Sequence, residues 1–355
     1  MNRPSIGTTE SSSVCRKILI VRLGSLGDIV HAIPSQQSIK RHWPQAEIHW
    51  LTEPPYDSLL NSVCGISKVW VADTQKWRRR IFSLRESIPL IQSLRRERFD
   101  VALDFQGLIK SALLGRLSGA RQVVGFRPEP FKEPAAQYFY SDTVVGDDGS
   151  QPHAVEINFQ LARFLGCSEE SLSPTVPLET GSRELQYVNG HLERLGIQNP
   201  VLINPGAGWV TKLWPAKSYA RLFVKIREEL GLPVIFTYGP GEEALIEEIR
   251  AEADPHLVAT FPTDILQFSA LCRRSRLLVG GDTGPLHLAV SLGTPTVAIL
   301  GPTASWRNGP FNPQDEIVKR DLPCSNSYKR TCDQFICMDI PVQQVFDAVV
   351  RRLSP

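Results

Sequence analysis

The chain has 355 residues, of which 42% are hydrophobic and 21% are charged, and its formal net charge is +2. This composition is typical of a folded globular protein, and at about 150 residues per domain the length indicates two domains. The balance of charge argues against a nonspecific nucleic-acid-binding protein, and no apolar run approaches the roughly 18 residues of a membrane span. Residues 1–17 lack the apolar stretch of a signal peptide, which predicts a cytoplasmic protein.

Short β-like runs alternate with helical patterns such as Ile29–His42 and Leu84–Arg98, which predicts βαβ units and parallel sheets. The strands predicted in the first half are Lys17–Leu23, Glu47–Thr52, Lys68–Val71, Val101–Asp104 and Gln122–Gly125. Those predicted in the second half are Val201–Asn204, Pro233–Tyr238, His256–Thr260, Leu277–Val279 and Thr296–Leu300. Two such sets predict two Rossmann-like α/β domains.

Composition also predicts the domain boundaries. We expect a first domain over residues 1–166, a linker over 167–182 that is rich in Ser, Thr, Pro and Glu, and a second domain over 183–340. An apolar helix within 341–355 has no assigned partner, and packing back on the first domain is one of its options. In open α/β sheets ligands bind beyond the carboxyl ends of the strands, so the loops that follow the strands are the candidate sites.

The loop after the first predicted strand contains Gly24, Ser25, Gly27 and Asp28 and leads directly into a helix. Its two glycines allow the backbone to approach a ligand closely. Asp28 is either a helix cap or a general base in the cleft between the domains. A helix N-terminus lowers the basicity of a carboxylate, whereas burial under the second domain raises it.

Other polar groups of the first half follow the strand Val101–Asp104, where Gln106 and Lys110 either belong to a capped helix or converge with Asp104 on a ligand. Basic clusters occur in the same half, and they include Arg78, Arg79, Arg80, Arg127 and Lys132. Such clusters either form a solvated face or suit an anionic substrate that carries carboxylates or phosphates.

Three loops of the second half combine small residues with polar ones. The loop after Val201–Asn204 contains N-P-G-A-G-W-V-T-K, whose amides and lysine suit a phosphate. The loop G-P-G-E-E-A after Pro233–Tyr238 is a weak dinucleotide fingerprint, or its glutamates bind a ribose. The loop G-G-D-T-G-P-L-H begins an apolar helix whose N-terminus suits a diphosphate, with His287 as a ligand or as a buried structural residue.

Several chemistries are excluded by inspection, because the sequence has no P-loop, no H-E-x-x-H, no G-x-S-x-G and no D-x-D motif. Cys324, Cys332 and Cys337 are close in sequence, but their spacing does not match common zinc motifs. We therefore expect neither a metal site nor a redox role for them, and we expect most other cysteines to be reduced and structural.

Three motifs together resemble glycosyltransferase family 9, the heptosyltransferases: K-I-L-I-V-R-L-G-S-L-G-D-I-V-H, D-F-Q-G-L-I-K-S-A and G-D-T-G-P-L-H. The resemblance extends from about Lys17 to about Leu353 and implies a GT-B fold, in which two Rossmann-like domains face each other across a cleft. It implies an inverting, metal-independent transfer from ADP-L-glycero-D-manno-heptose, with no cofactor. The Q-G-L-x-K-S block most resembles heptosyltransferase I-type members, whose acceptor is the Kdo region of lipid A. The segment Lys329–Cys332 is instead similar to heptosyltransferase II-like members.

The resemblance also implies a role for each matching residue, with Asp28 as the catalytic base. The implied donor-binding residues are Gly206, Ala207, Gly208, Thr211, Lys212, Glu242, Asp282, Thr283, Gly284 and His287. The implied acceptor-binding residues are Ser25, Gly27, Arg78, Arg79, Arg80, Asp104, Gln106, Lys110 and Lys132. The implied partners are ADP-heptose, Kdo-lipid A and the inner face of the cytoplasmic membrane, and not nucleic acid. The alternatives are a family 9 transferase with another acceptor, a non-catalytic nucleotide-sugar-binding protein and an NAD-dependent oxidoreductase.

Overall fold

The computed structural model describes residues 17–74, 76, 84–127, 133–254 and 256–354. The predicted acceptor residues Arg78, Arg79, Arg80 and Lys132 lie outside these residues. The first sheet has six parallel strands in the order β3-β2-β1-β4-β5-β6. Its strands are β1 (Lys17–Val21), β2 (Glu47–Thr52), β3 (Lys68–Val71), β4 (Val101–Asp104), β5 (Gln122–Phe126) and β6 (Asp142–Val144).

The second sheet repeats this plan with six parallel strands in the order β12-β11-β10-β7-β8-β9. Its strands are β7 (Val201–Asn204), β8 (Val234–Phe236), β9 (Ala259–Thr260), β10 (Leu277–Gly281), β11 (Thr296–Leu300) and β12 (Glu316–Lys319). The central strands are apolar on both faces: Ile18 to Val21 of β1 and Leu277 to Val279 of β10 are fully buried. Continuous apolar runs of this kind are typical of parallel strands that helices cover on both sides.

Helices alternate with these strands. Those of the first half are α1 (Leu26–His42), α2 (Asp57–Asn61), α3 (Leu84–Glu97), α4 (Ile109–Leu117) and α5 (Ala154–Phe164). Those of the second half are α6 (Ser182–Leu195), α7 (Ala216–Leu230), α8 (Glu243–Glu252), α9 (Ile265–Arg273), α10 (Gly284–Ser291), α11 (Ser305–Asn308) and α12 (Val342–Leu353). The prediction of two Rossmann-like α/β units is confirmed. No helix within the described ranges has the length and apolarity needed to span a membrane.

The predicted strands are all present, but several differ in length from the prediction. The strand predicted to reach Leu23 ends at Val21, and the strand predicted to begin at His256 contains only Ala259 and Thr260. The edge strands β6 and β12 were not predicted, because they are short and mostly exposed and lack a long apolar run. The six cysteines in the described residues are free thiols, as expected.

The last helix, α12, packs on the second sheet. It contacts α7 and strands β10 to β12, and its buried residues include Val345, Phe346 and Val349. The option of packing back on the first domain is therefore not the one that the structure shows. The contact between the two halves is made largely by α1 of the first half and α10 of the second.

In each sheet the strand order reverses at the center, between β1 and β4 in the first and between β7 and β10 in the second. Ligands of open α/β sheets bind at such reversal points, beyond the carboxyl ends of the strands. The loops after β1, β4, β7 and β10 therefore position the candidate site.

Candidate active site between the two sheets

A cavity of about 700 Å³ lies between the two halves, and loops at the carboxyl ends of both sheets line it. Most of the predicted site residues are brought together there. The first half contributes Ser25, Gly27 and Asp28, and the second contributes Gly206, Ala207, Gly208, Lys212, Glu242, Asp282, Thr283, Gly284 and His287. The volume is in the range of sites that bind small molecules and cofactors.

Asp28 occupies the first turn of α1, on the first wall of the cavity, and its side chain is half exposed. Its Oδ2 atom lies 2.7 Å from Nη2 of Arg22 and accepts hydrogen bonds from the amide and hydroxyl of Ser25 at 3.2 and 3.1 Å. Burial alone would raise the pKa of Asp28, but the charge of Arg22 and the hydrogen bonds from Ser25 outweigh it and lower the pKa. Asp28 is therefore an ionised carboxylate at neutral pH.

Asp282 occupies the opposite wall, at the end of β10, and is almost fully buried. Its Oδ2 atom lies 2.8 Å from Nζ of Lys212, and its Oδ1 atom lies 3.0 Å from Nε2 of His287. Burial alone would raise the pKa of Asp282, but His287 and Lys212 together lower it well below its usual value. Asp282 thus holds two cavity-lining side chains in fixed positions.

The helix α10 begins next to Asp282, with Thr283 as its N-cap residue and Gly284 as its first helical residue. Its N-terminal amides face the cavity, where the partial positive charge of a helix N-terminus favours an anion. A Cβ at Gly284 would lie 2.7 Å from Cβ of Leu26, and a Cβ at Gly27 would lie 2.8 Å from Cδ2 of His287. Glycine at both positions therefore allows α1 and α10 to meet closely.

Glu242 covers one side of the cavity, at the beginning of α8. Its carboxylate accepts a hydrogen bond from the amide of Gly239 at 2.7 Å, and a Cβ at Gly206 would overlap it. The G-P-G-E-E-A loop is therefore folded around this carboxylate. Thr211, a predicted donor residue, is buried and donates to the carbonyl of Lys329 at 2.8 Å, so its side chain holds a neighbouring loop.

The predicted acceptor residues Asp104, Gln106 and Lys110 do not line the cavity. Asp104 is fully buried and accepts hydrogen bonds from Tyr140, Ser111 and the amides that follow it, and burial raises its pKa. The Gln106 side chain accepts a hydrogen bond from the amide of Leu23 at 2.9 Å. Lys110 donates to Glu53 at 2.9 Å.

Three histidine rings meet where the two halves join. The His31 ring lies with its centroid 4.2 Å from that of His287 and 5.3 Å from that of His153. Burial, together with the neighbouring histidines, lowers the pKa of His31 well below its usual value, and burial lowers the pKa of His153 to about 4. At neutral pH, His31 and His153 are therefore uncharged where the two halves pack together.

Several cavity residues were not predicted from the sequence, among them Tyr56, Trp209 and Arg330. Trp209 lies between two cations, with Nζ of Lys212 at 4.2 Å and Cζ of Arg330 at 4.8 Å from its ring centroid. Arg22, which contacts Asp28, was also missed, although a charged residue at the end of a buried strand is a signal that could have revealed it. Arg330 is far from Trp209 in sequence and carried no such signal.

Comparison with known proteins gives consistent results. A family model described as glycosyltransferase family 9 (heptosyltransferase) matches residues 88–335. The lipopolysaccharide heptosyltransferase 1 of Pseudomonas aeruginosa is 28% identical over 324 residues, which are 89% of this chain and 87% of that protein. A family 9 glycosyltransferase structure from Veillonella parvula has a TM-score of 0.83 at 18% identity, covering 97% of this chain and 99% of that one. The E. coli heptosyltransferase WaaC with ADP has a TM-score of 0.74 at 20% identity, covering 95% and 99%. These likenesses confirm the expected GT-B fold.

Proposed function

The chain belongs to glycosyltransferase family 9, the heptosyltransferases, and on that premise we propose that it transfers heptose from ADP-L-glycero-D-manno-heptose to the Kdo region of lipid A. It is a heptosyltransferase of lipopolysaccharide core biosynthesis. Family membership replaces the oxidoreductase and the non-catalytic alternatives. The proposal concerns the donor, the acceptor, the stereochemistry and the metal requirement.

The observation that carries the proposal is the placement of Asp28 across the cavity from Lys212 and the N-terminus of α10. An ionised carboxylate on one wall suits a general base, and a cation with a helix N-terminus on the other wall suits a diphosphate leaving group. The acceptor hydroxyl oxygen attacks the anomeric carbon of heptose while the bond from that carbon to the diphosphate oxygen breaks. Asp28 accepts the hydroxyl proton, and ADP leaves. A single displacement of this kind inverts the anomeric configuration.

The proposed donor site uses the residues of the second half. Lys212 neutralises diphosphate charge, the amides of Thr283 and Gly284 donate to it, and Glu242 binds the ribose hydroxyls. His287 and Asp282 complete the site next to the heptose. Because a lysine and a helix N-terminus offset the charge of the leaving group, we propose that the reaction needs no metal and no cofactor.

The proposed acceptor is anionic and lipid-anchored, so the protein must work at the inner face of the cytoplasmic membrane. Basic residues of the first half are the proposed contacts for its carboxylates and phosphates. Arg78, Arg79, Arg80 and Lys132 keep this role as predictions. The second candidate acceptor is a core that already carries heptose, which the similarity of Lys329–Cys332 to heptosyltransferase II-like members favours.

The test is to incubate the protein with ADP-heptose and Kdo₂-lipid A in the presence of EDTA. We expect release of ADP and a lipid product heavier by one heptose, with inverted anomeric configuration by NMR. Transfer only to a heptosylated acceptor would replace the Kdo acceptor with the second candidate. A requirement for added metal would contradict the proposed leaving-group chemistry, and failure to bind ADP-heptose would contradict the proposed donor.

A further inference from the structure

The side chain of Arg22 connects the loop that carries Asp28 with the loop that follows β4. Its Nη2 atom lies 2.7 Å from Oδ2 of Asp28, and its Nη1 atom donates to the carbonyl of Phe105 at 2.5 Å. The side chain is only 11% exposed, and Nε is buried without a hydrogen-bond partner among the described residues. The two terminal nitrogens therefore hold the guanidinium, one on each loop.

The backbone of Arg22 is fixed as well. Its amide donates to the carbonyl of Leu51 at 3.1 Å, and the indole nitrogen of Trp50 donates to its carbonyl at 3.1 Å. Both partners belong to β2, the strand next to β1. Since the residue is anchored to one neighbouring strand and its guanidinium to the loop after the other, it has little freedom to move.

The Phe105 carbonyl is held in place by Asp104. One carboxylate oxygen of Asp104 accepts the amides of Gln106 and Gly107 at 2.9 and 3.2 Å, which fixes the turn that contains Phe105. The other oxygen accepts the hydroxyl of Tyr140 at 2.6 Å. The contact from Arg22 to Asp28 thus begins in a fully buried hydrogen-bond network.

The contacts to Asp28 are unequal between its two oxygens. The guanidinium of Arg22 and both the amide and the hydroxyl of Ser25 converge on Oδ2. No hydrogen bond or ion pair from the described residues reaches Oδ1, although the carboxylate lines the cavity. A carboxylate fixed by three donors on one oxygen presents the other oxygen in a defined direction.

Stability alone does not account for this arginine. A nearly buried guanidinium with an unpaired Nε is unfavourable for folding, and an apolar side chain at the end of β1 would avoid the desolvation. The charge is instead directed at the carboxylate on which the proposed reaction depends.

We propose that Arg22 is a positioning residue for heptosyl transfer: anchored on the Phe105 carbonyl, it fixes Oδ2 of Asp28 so that Oδ1 receives the proton of the acceptor hydroxyl. This inference rests on the proposed function. Arg22 makes Asp28 less basic in exchange for keeping it ionised and oriented. Orientation of a reacting group can account for a large part of a rate enhancement, so the exchange favours catalysis.

The experiment compares the wild type with Arg22→Gln, Arg22→Lys and a matched control, Arg352→Gln. Arg352 also forms a largely buried pair, with Nε 2.8 Å from Oδ1 of Asp315, but it lies on α12 and does not line the cavity. The first readout is the pKa of Asp28 from NMR titration of protein labelled with ¹³C-carboxyl aspartate, assigned with Asp28→Asn. The second is kcat and KM for ADP-heptose and Kdo₂-lipid A as a function of pH.

In Arg22→Gln the loss of positive charge should raise the pKa of Asp28 by about one unit or more and move the acid limb of the kcat profile to higher pH. We expect kcat to fall about ten- to a hundredfold, with little change in the donor KM. Arg22→Lys should keep the pKa near the wild-type value but lose part of kcat, because an ammonium cannot span both loops. Arg352→Gln should lower the Tm and leave the pKa and pH profile unchanged.

An unchanged pKa of Asp28 in Arg22→Gln would overturn the proposal, as would a shifted pKa with wild-type kcat. If Arg22→Gln does not fold, Arg22→Lys decides, and wild-type kcat in that variant would contradict the positioning role. A wild type that folds but transfers no heptose would instead refute the proposed function. The NMR titration would still show in that case whether Arg22 controls the ionisation of Asp28.

Discussion

Asp28 and Asp282 lie on opposite walls of one cavity, and each is paired with a cation, yet their surroundings differ. The Asp28 side chain is 50% exposed and its contacts converge on one oxygen, whereas the Asp282 side chain is 5% exposed and both of its oxygens are engaged. A carboxylate with an open oxygen can exchange a proton with a substrate. One with both oxygens engaged is suited to holding its neighbours in place, so the comparison separates a proposed base from a scaffold.

The largest effect is expected for Asp28→Asn, which keeps the size of the side chain but removes the proton acceptor. We expect kcat to fall by about 10³-fold, in the range that general bases contribute. The measurement is steady-state release of ADP at saturating donor and acceptor. A variant that retains more than a tenth of the wild-type kcat would exclude Asp28 as the base.

Asp282→Asn should act mainly on stability. The change weakens the interactions with Lys212 and His287 in a nearly buried position, and breaking one partner of such a pair costs about 3 kcal/mol. Denaturant unfolding measures this loss, with Asp28→Asn as the comparison. Equal unfolding free energies for the two variants would contradict the distinction between scaffold and base.

The histidine cluster predicts a pH dependence of stability. The pKa of His153 is lowered to about 4 in the folded protein from about 6.5 when unfolded, so its contribution is complete above pH 6.5. The contribution is lost as the pH falls from 6.5 toward 4, and the loss amounts to about 2–3 kcal/mol at pH 4.

The measurement is unfolding free energy against pH for the wild type and for His153→Asn, which can still cap α5. We expect the variant to show a smaller decline between pH 6.5 and 4, since other titrating groups are common to both proteins. Parallel curves would show that His153 does not titrate as its burial indicates.

The close contact between α1 and α10 can be tested with Gly27→Ala. The added methyl would lie 2.8 Å from His287 and force the two walls apart, so we expect kcat/KM to fall about tenfold or more. Gly190→Ala on α6 is the matched control, because a Cβ there meets nothing within 4 Å. It should raise stability by about 0.5–1 kcal/mol and leave kcat unchanged. Equal kcat/KM in both variants would mean that the contact is not needed.

The smallest effect is expected for Tyr140→Phe. It removes one hydrogen bond to Asp104 and should lower the unfolding free energy by about 1–2 kcal/mol. It should also reduce kcat several-fold if the Phe105 turn supports Arg22. The measurement pairs denaturant unfolding with kcat, and a loss of stability with wild-type kcat would confine Asp104 to folding.

The apolar runs and the loops that follow them allowed the sheets and the position of Asp28 to be predicted, since parallel strands end at a common edge. The sequence could not show that Arg22 reaches the Phe105 carbonyl, because this contact joins residues 83 positions apart. The same limit applies to Asp104, whose oxygens bond to Tyr140 and Ser111 and not to the cavity. A polar residue after a strand predicts a place in the sheet but not which groups its side chain contacts.

The most direct test of the central claim is calorimetric titration of ADP-heptose into Asp28→Asn and Asp282→Asn, with kcat measured on the same preparations. The account predicts that Asp28→Asn binds the donor with nearly the wild-type Kd but does not turn it over. Asp282→Asn should bind the donor about tenfold or more weakly, because Lys212 and His287 lose their anchor. Donor binding lost in Asp28→Asn and kept in Asp282→Asn would contradict the assignment of the two walls.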